Sequence, residues 1–126
     1  MTLSEMVDQL TNAECDPALY DAIQERLKFR LNITNLETGE IEPHVITIEA
    51  DSDDGETQIQ CEVQRAIKRQ IWAWNILYDP VINRHIATIW DYNGTLAKTE
   101  PIHRSPAEAI LSAYIQAMDN VSDRGR

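Results

Sequence analysis

Hydrophobic positions change their spacing several times along the chain, and each change marks an element. Leu3, Met6, Val7 and Leu10 fall on one face of a helix, preceded by Thr2 and Glu5 in a Thr-x-x-Glu capping box. Residues 12–15 form a joint. Asp16 is then placed to cap a second helix with Pro17 at its first position, where a missing N–H costs nothing. Leu19, Tyr20, Ile23 and Leu27 make the apolar stripe of that helix.

From Lys28 the period becomes two. Phe29, Leu31 and Ile33 alternate with Arg30, Asn32 and Thr34, which predicts a strand with one buried face. Glu37-Thr38-Gly39-Glu40 supplies the turn, and a return strand spans Ile41 to Ala50 with Val45 to Ile48 as its apolar middle. Pro43 has no N–H to give to a ladder, so it belongs near the start of that strand or on an edge. After the polar loop 51–56 the pattern is ambiguous: Ile59, Cys61 and Val63 alternate like a strand, whereas Ile59, Val63, Ala66 and Ile67 fit a helix. Acidic residues before this segment and Arg65, Lys68 and Arg69 at its end suit the helix macrodipole, which favours a helix over 57–69.

Ile71–Tyr78 and His85–Tyr92 are rich in aromatic and β-branched residues and read as paired strands around a turn through Asp79-Pro80 and Asn83-Arg84. Asn93-Gly94 predicts a type I′ turn into a short strand from Thr95 to about Thr99, completing a three-strand meander. Ser105-Pro106-Ala107-Glu108 starts the last helix, whose apolar face is Ala109, Ile110, Ala113, Tyr114, Ala117 and Met118. The expected fold is a single α+β domain over residues 1–120, an antiparallel sheet packed by N-terminal, middle and C-terminal helices, with 121–126 as a flexible tail.

Composition adds little to this: 43% hydrophobic and 25% charged residues are globular values, and 126 residues suffice for one core. No charge-free apolar run approaches the ~20 residues of a membrane span. The first residues lack the basic start and apolar core of a signal peptide, so a cytosolic location is expected. Cys15 and Cys61 belong to no C-x-x-C pair and are expected as two reduced thiols.

Charge changes the picture more. The net charge of −10 is unevenly placed: residues 1–62 carry fifteen acidic and three basic side chains, residues 63–126 six and eight. From Leu31 to Gln64 there are nine carboxylates and no Lys or Arg. Nucleic-acid backbones are held mainly by Lys and Arg, so direct nucleic-acid binding is not expected and a basic protein partner is. The candidate partner-binding residues are Glu37, Glu40, Glu42, Glu49, Asp51, Asp53, Asp54 and Glu56. If the hairpin and its loop extend roughly 25 Å at about 3.3 Å per residue, the stretch carries about one charge per 3 Å, within a factor of two of the ~1.7 Å of duplex DNA. Such a surface competes with nucleic acid for a basic groove. The plainer alternative is an acidic edge that keeps the sheet soluble and unpaired.

Candidate chemistry is sparse. In a calcium-binding EF-hand loop beginning at Asp51, Asp53 and Glu62 fit positions 3 and 12, but Gly55 falls at 5 rather than at the sharp turn of position 6. His44, His85 and His103 lie in different elements without a second ligand at helical spacing. The four glycines Gly39, Gly55, Gly94 and Gly125 build no phosphate loop. No catalytic residue, metal or cofactor is therefore expected; a hydrolase or metal-dependent enzyme would need a pocket where carboxylates converge with His85 or His103. Five of the eight aromatics lie between Trp72 and Tyr92, with Trp72, Trp74, Ile76 and Tyr78 on one strand face and Trp90 beside Ile86 and Tyr92 on one face of the next. Ile71, Ala73, Leu77, Ala87 and Ile89 on the opposite faces are apolar enough to be the buried side. Trp72, Trp74 and Trp90 are then either core or the interface of a homodimeric scaffold.

From Ile86 to Asn120, a strand pair, an Asn-Gly turn and Ser-Pro-x-Glu-Ala-Ile-x-x-Ala-Tyr resemble the C-terminal part of small phage-encoded α+β proteins of the ABA-sandwich type. The resemblance implies a non-enzymatic accessory protein of a virus or prophage, and carries no functional residues.

Overall fold

A computed structural model describes residues 1–124, and local sequence signals set where its helices begin. In α1 (Leu3–Asp8) the Thr2 hydroxyl accepts the Glu5 N–H at 3.2 Å while the Glu5 carboxylate accepts the Thr2 N–H at 3.2 Å, completing the capping box. A 3-10 helix (Gln9–Glu14) continues it. Asp16 caps α2 (Pro17–Arg26) by accepting the Leu19 N–H at 3.0 Å. Ser52 caps α3 (Asp53–Arg69) through the Gly55 N–H at 3.0 Å, so the ambiguous 57–69 segment is helical and starts four residues earlier than the pattern suggested. Ser105 accepts the Glu108 N–H at 3.1 Å at the start of α4 (Pro106–Arg124), and Glu108 reaches back to the Arg104 N–H at 3.0 Å. The helix continues through 121–124, within the segment expected to be a tail; Gly125 and Arg126 lie outside the described residues.

The strands form two antiparallel sheets rather than one. β1 (Lys28–Thr34) pairs with β2 (Ile41–Thr47), and β3 (Ala73–Asp79), β4 (Arg84–Asp91) and β5 (Gly94–Lys98) form the meander in the order β3-β4-β5. The fold is α+β. Helix α4 lies across the meander, α3 packs beside α4, α2 against α3, and α1 against α4.

Register decides which side of the meander is buried. Trp74 stands opposite Ile89, Ile76 opposite Ala87, and Ile89 opposite Ala97, so these residues share the face under the helices. The core joins that face to Leu3, Val7 and Leu10, to Leu19 and Ile23, to Ile59, Val63 and Ile67, and to Ala109, Ile110, Ala113 and Tyr114. A bulge between Ile89 and Trp90 lets consecutive Leu96 and Ala97 both turn inward. The expected grouping of Ile71, Ala73, Leu77, Ala87 and Ile89 on one buried side does not hold: Ala87 and Ile89 are buried, whereas Ala73 and Leu77 share the outer face with Ile86 and Trp90.

Three local expectations are corrected. Ile71 is not in a strand: it has φ +61° and is 85% exposed in the link between α3 and β3. Asp91 pairs with Gly94, so the β4–β5 loop is Tyr92-Asn93; Gly94 has φ +129° and Asn93 is not left-handed, which excludes a type I′ turn centred on Asn93-Gly94. The β1–β2 hairpin has no buried face. Its outermost residues are exposed along both strands, and its main contact with the body is α2 against β1. No helix among the described residues is long and apolar enough to cross a membrane.

Candidate functional site

The eight candidate carboxylates separate into two groups. Glu37 and Glu40 lie on the hairpin turn and Glu42 on β2; Glu49, Asp51, Asp53, Asp54 and Glu56 gather where the chain leaves the hairpin and enters α3. The hairpin turn is organised by Asn35, whose side-chain oxygen accepts the Glu37 N–H at 2.9 Å. All eight are exposed except Glu56, which is half-buried.

Backbone packing fixes the second group. Ser52 donates its hydroxyl to the Glu49 carbonyl at 2.6 Å while accepting the Gly55 N–H, and the Ser52 N–H also bonds the Glu49 carbonyl at 3.1 Å. Gly55 is required here, because a Cβ at that position would stand 2.0 Å from the Glu49 carbonyl oxygen and 2.8 Å from that of Ala50. Asp51 ties the loop to α1 by accepting the Leu3 N–H at 3.0 Å. Asp53, Asp54 and Glu56 occupy the first turn of α3, where the positive end of the dipole favours carboxylates.

The electrostatics of this end record crowding. Burial, then the charges of Glu108, Asp53 and Asp51, push the Glu56 carboxyl above its usual range. Glu108, on α4, therefore belongs to the cluster although the sequence marks it only as a capping residue. Its membership comes from the packing of α4 beside α3.

The ninth carboxylate of the stretch plays a different part. Glu62 is buried and accepts from Arg26 at 3.3 Å and Arg65 at 3.1 Å, and Arg26 also donates to Gln58 at 2.5 Å and to the Cys61 sulfur at 3.4 Å. It is a structural ion pair joining α2 to α3 and contributes nothing to the outer surface. The remaining eight do not form one continuous line, since the hairpin separates its tip from the α3 end.

Of the EF-hand positions, 53–62 are helical, so no calcium loop exists at Asp51–Glu62. Among the described residues no group of three or more His, Cys, Asp or Glu is placed to hold a metal ion. His103 bonds through its carbonyl to the His85 N–H at 2.8 Å, while His44 lies 3.7 Å from Glu42 on the hairpin. His103 does share a groove of about 940 Å³ with Asp51, Glu108 and Ser112, between α1, α4 and the segment before α4. Burial lowers the His103 pKa against the opposing charge of Glu108. Both carboxylates in that groove are already engaged by backbone N–H groups, of Leu3 and Arg104.

The three indoles are divided between two surroundings. Trp72 and Trp74 pack against the core, Trp72 with its ring 6.2 Å from that of Tyr114, whereas Trp90 stands opposite Ala73 on the outer face. Trp72 and Trp90 meet at one end of the meander, in a shallow groove of about 490 Å³ with Ile71, Tyr92 and Lys68. Cys15, in the link between the 3-10 helix and α2, and Cys61, on α3, are unpaired thiols, and burial raises the Cys15 pKa first, ahead of the neighbouring Asp16 and Asp119.

Comparison with protein-family models, curated proteins and solved structures gives no match to this chain.

Proposed function

We propose that the protein is a non-enzymatic binding protein that engages a basic nucleic-acid-binding or defence protein and occupies the surface where that partner holds nucleic acid. One observation carries the reading: among the described residues, none of the eight candidate carboxylates is paired with a Lys or Arg of this chain, although Glu25 and Glu62 are. Glu42 has only the imidazole of His44 nearby. Unpaired carboxylates fixed on a capped helix start offer a preorganised anionic face, and steering toward a cationic groove strengthens as salt is lowered. The α3 end, with Glu49, Asp51, Asp53, Asp54 and Glu56, is tied to α1 through Asp51 and held by the Ser52 cap, and is the principal contact. The resemblance of residues 86–120 to phage-encoded proteins supports the role of a viral or prophage accessory in the host cytosol.

The test is capture of basic proteins from a host lysate by the immobilised chain, with duplex DNA added as competitor. Captured DNA-binding proteins that duplex DNA releases support the reading. Captured proteins that DNA leaves in place, or capture confined to acidic proteins, contradict it.

A further inference from the structure

The β1–β2 hairpin carries apolar side chains in water: Phe29, Ile33 and Ile46 on one face are 52%, 46% and 51% exposed. A lone two-stranded hairpin is marginal in water, and its two edges are not equivalent. The Ile48 N–H bonds the Leu27 carbonyl and the Asn35 N–H bonds the Glu40 carbonyl, bracketing the ladder at both ends. Antiparallel alternation then directs the odd-numbered residues of β1 inward and leaves the N–H and C=O groups of Lys28, Arg30, Asn32 and Thr34 on the free edge. On β2 the outward positions are Ile41, Pro43, Val45 and Thr47, and Pro43 has no N–H to give. Only the β1 edge can extend a continuous ladder.

Charge identifies what the edge fits. Lys28 and Arg30 stand at the hairpin's base, where Glu25 binds both and leaves an excess positive charge; Glu37, Glu40 and Glu42 stand at its tip. A second copy running antiparallel lays each acidic tip beside the other's basic base, so the cations that would repel a like edge meet carboxylates instead. We propose that β1 pairs with β1 of a second copy of this chain about a twofold axis at Leu31, making a four-stranded antiparallel sheet. Phe29 of each copy then lies opposite Ile33 of the other, and the two Leu31 side chains face each other across the axis. The dimer engages the hairpin carboxylates Glu37, Glu40 and Glu42 and leaves the α3 group, the principal contact of the basic-partner reading, exposed.

Sedimentation of the full chain at tens of micromolar tests it. The expected result is a species of twice the 14.4 kDa chain mass that dissociates on dilution. Asn32→Pro removes an N–H that serves only the outer edge, and is expected to give a monomer with an unchanged far-UV spectrum. In the unmutated dimer the amides of Lys28, Arg30, Asn32 and Thr34 are expected to be protected from hydrogen exchange and to lose protection on dilution. This last readout decides the matter if Asn32→Pro disturbs the hairpin itself. A monomer at that concentration, a dimer indifferent to Asn32→Pro with the hairpin intact, or free exchange of those four amides in the dimer overturns the proposal.

Discussion

Tyr114 shows how a single residue ties distant parts of the chain together. Its ring is fully buried against Trp72, and its hydroxyl donates to Asp16 at 2.5 Å, joining α4 to the cap of α2 across 98 positions of sequence. Burial first, then the Asp16 carboxylate, raises the pKa of the phenol above its ordinary value of 10.0. The folded state thus favours the neutral phenol, and this stabilisation is complete below about pH 10 and is lost as pH rises through the raised value. Tyr114→Phe is expected to cost about 1.5–3 kcal/mol at neutral pH, as for a hydrogen bond to a charged group. Urea midpoints compared at neutral and strongly alkaline pH should show the difference between the two proteins narrowing in alkali. Gly55 gives an opposite lesson about helix propensity. Ala in a helix ordinarily gains up to about 1 kcal/mol over Gly, yet Gly55→Ala should lose about 3 kcal/mol or more, because its Cβ meets backbone oxygens rather than a movable side chain. An unchanged urea midpoint for Gly55→Ala would contradict the clamped geometry given to the acidic loop.

At the scale of elements, the end of α3 is the least expected piece of construction. Ile71 donates its N–H to the Lys68 carbonyl at 3.0 Å and Trp72 to the Ile67 carbonyl at 3.2 Å, the two bonds of a Schellman ending, with Ile71 in the left-handed position that glycine usually fills. A β-branched residue there costs roughly 1–2 kcal/mol, and its exposed side chain recovers little by burial. Ile71→Gly should therefore raise the thermal midpoint, and a lowered one would show that the side chain contributes more than its exposure suggests. The helix starts were legible in sequence because caps are local: Thr2 with Glu5, Asp16 with Pro17, and Ser105 with Glu108 each act within one turn. The limits of reading came where a pattern has two solutions. Alternation from Phe29 to Ile33 shows which residues share a face, but nothing in it shows whether anything covers that face, and the hairpin stands open. Asn93-Gly94 located a turn correctly, yet pairing of Asp91 with Gly94 moved the loop by one residue.

For the molecule as a whole, the charge asymmetry of the sequence becomes a division of labour. Of the nine carboxylates between Leu31 and Gln64, Glu62 is consumed by Arg26 and Arg65 inside the fold, three sit on the hairpin, and five mark the start of α3. Sequence reading found the acidic stretch because charge is additive along a chain. It missed the withdrawal of Glu62, the gap between the two groups and the arrival of Glu108, since all three depend on which helices touch. The central claim is that the α3 group is the contact for a basic partner. Its most direct test is the salt dependence of capture by the unmutated chain and by a variant carrying Glu49→Gln, Glu56→Gln, Asp51→Asn, Asp53→Asn and Asp54→Asn. The amide that replaces the Asp51 carboxylate keeps a side-chain oxygen for the Leu3 N–H. The account predicts that the variant folds normally, captures the partner more weakly at low salt, and shows a flatter decline as salt is raised. Equal affinity and an equal salt slope for the two proteins would contradict it.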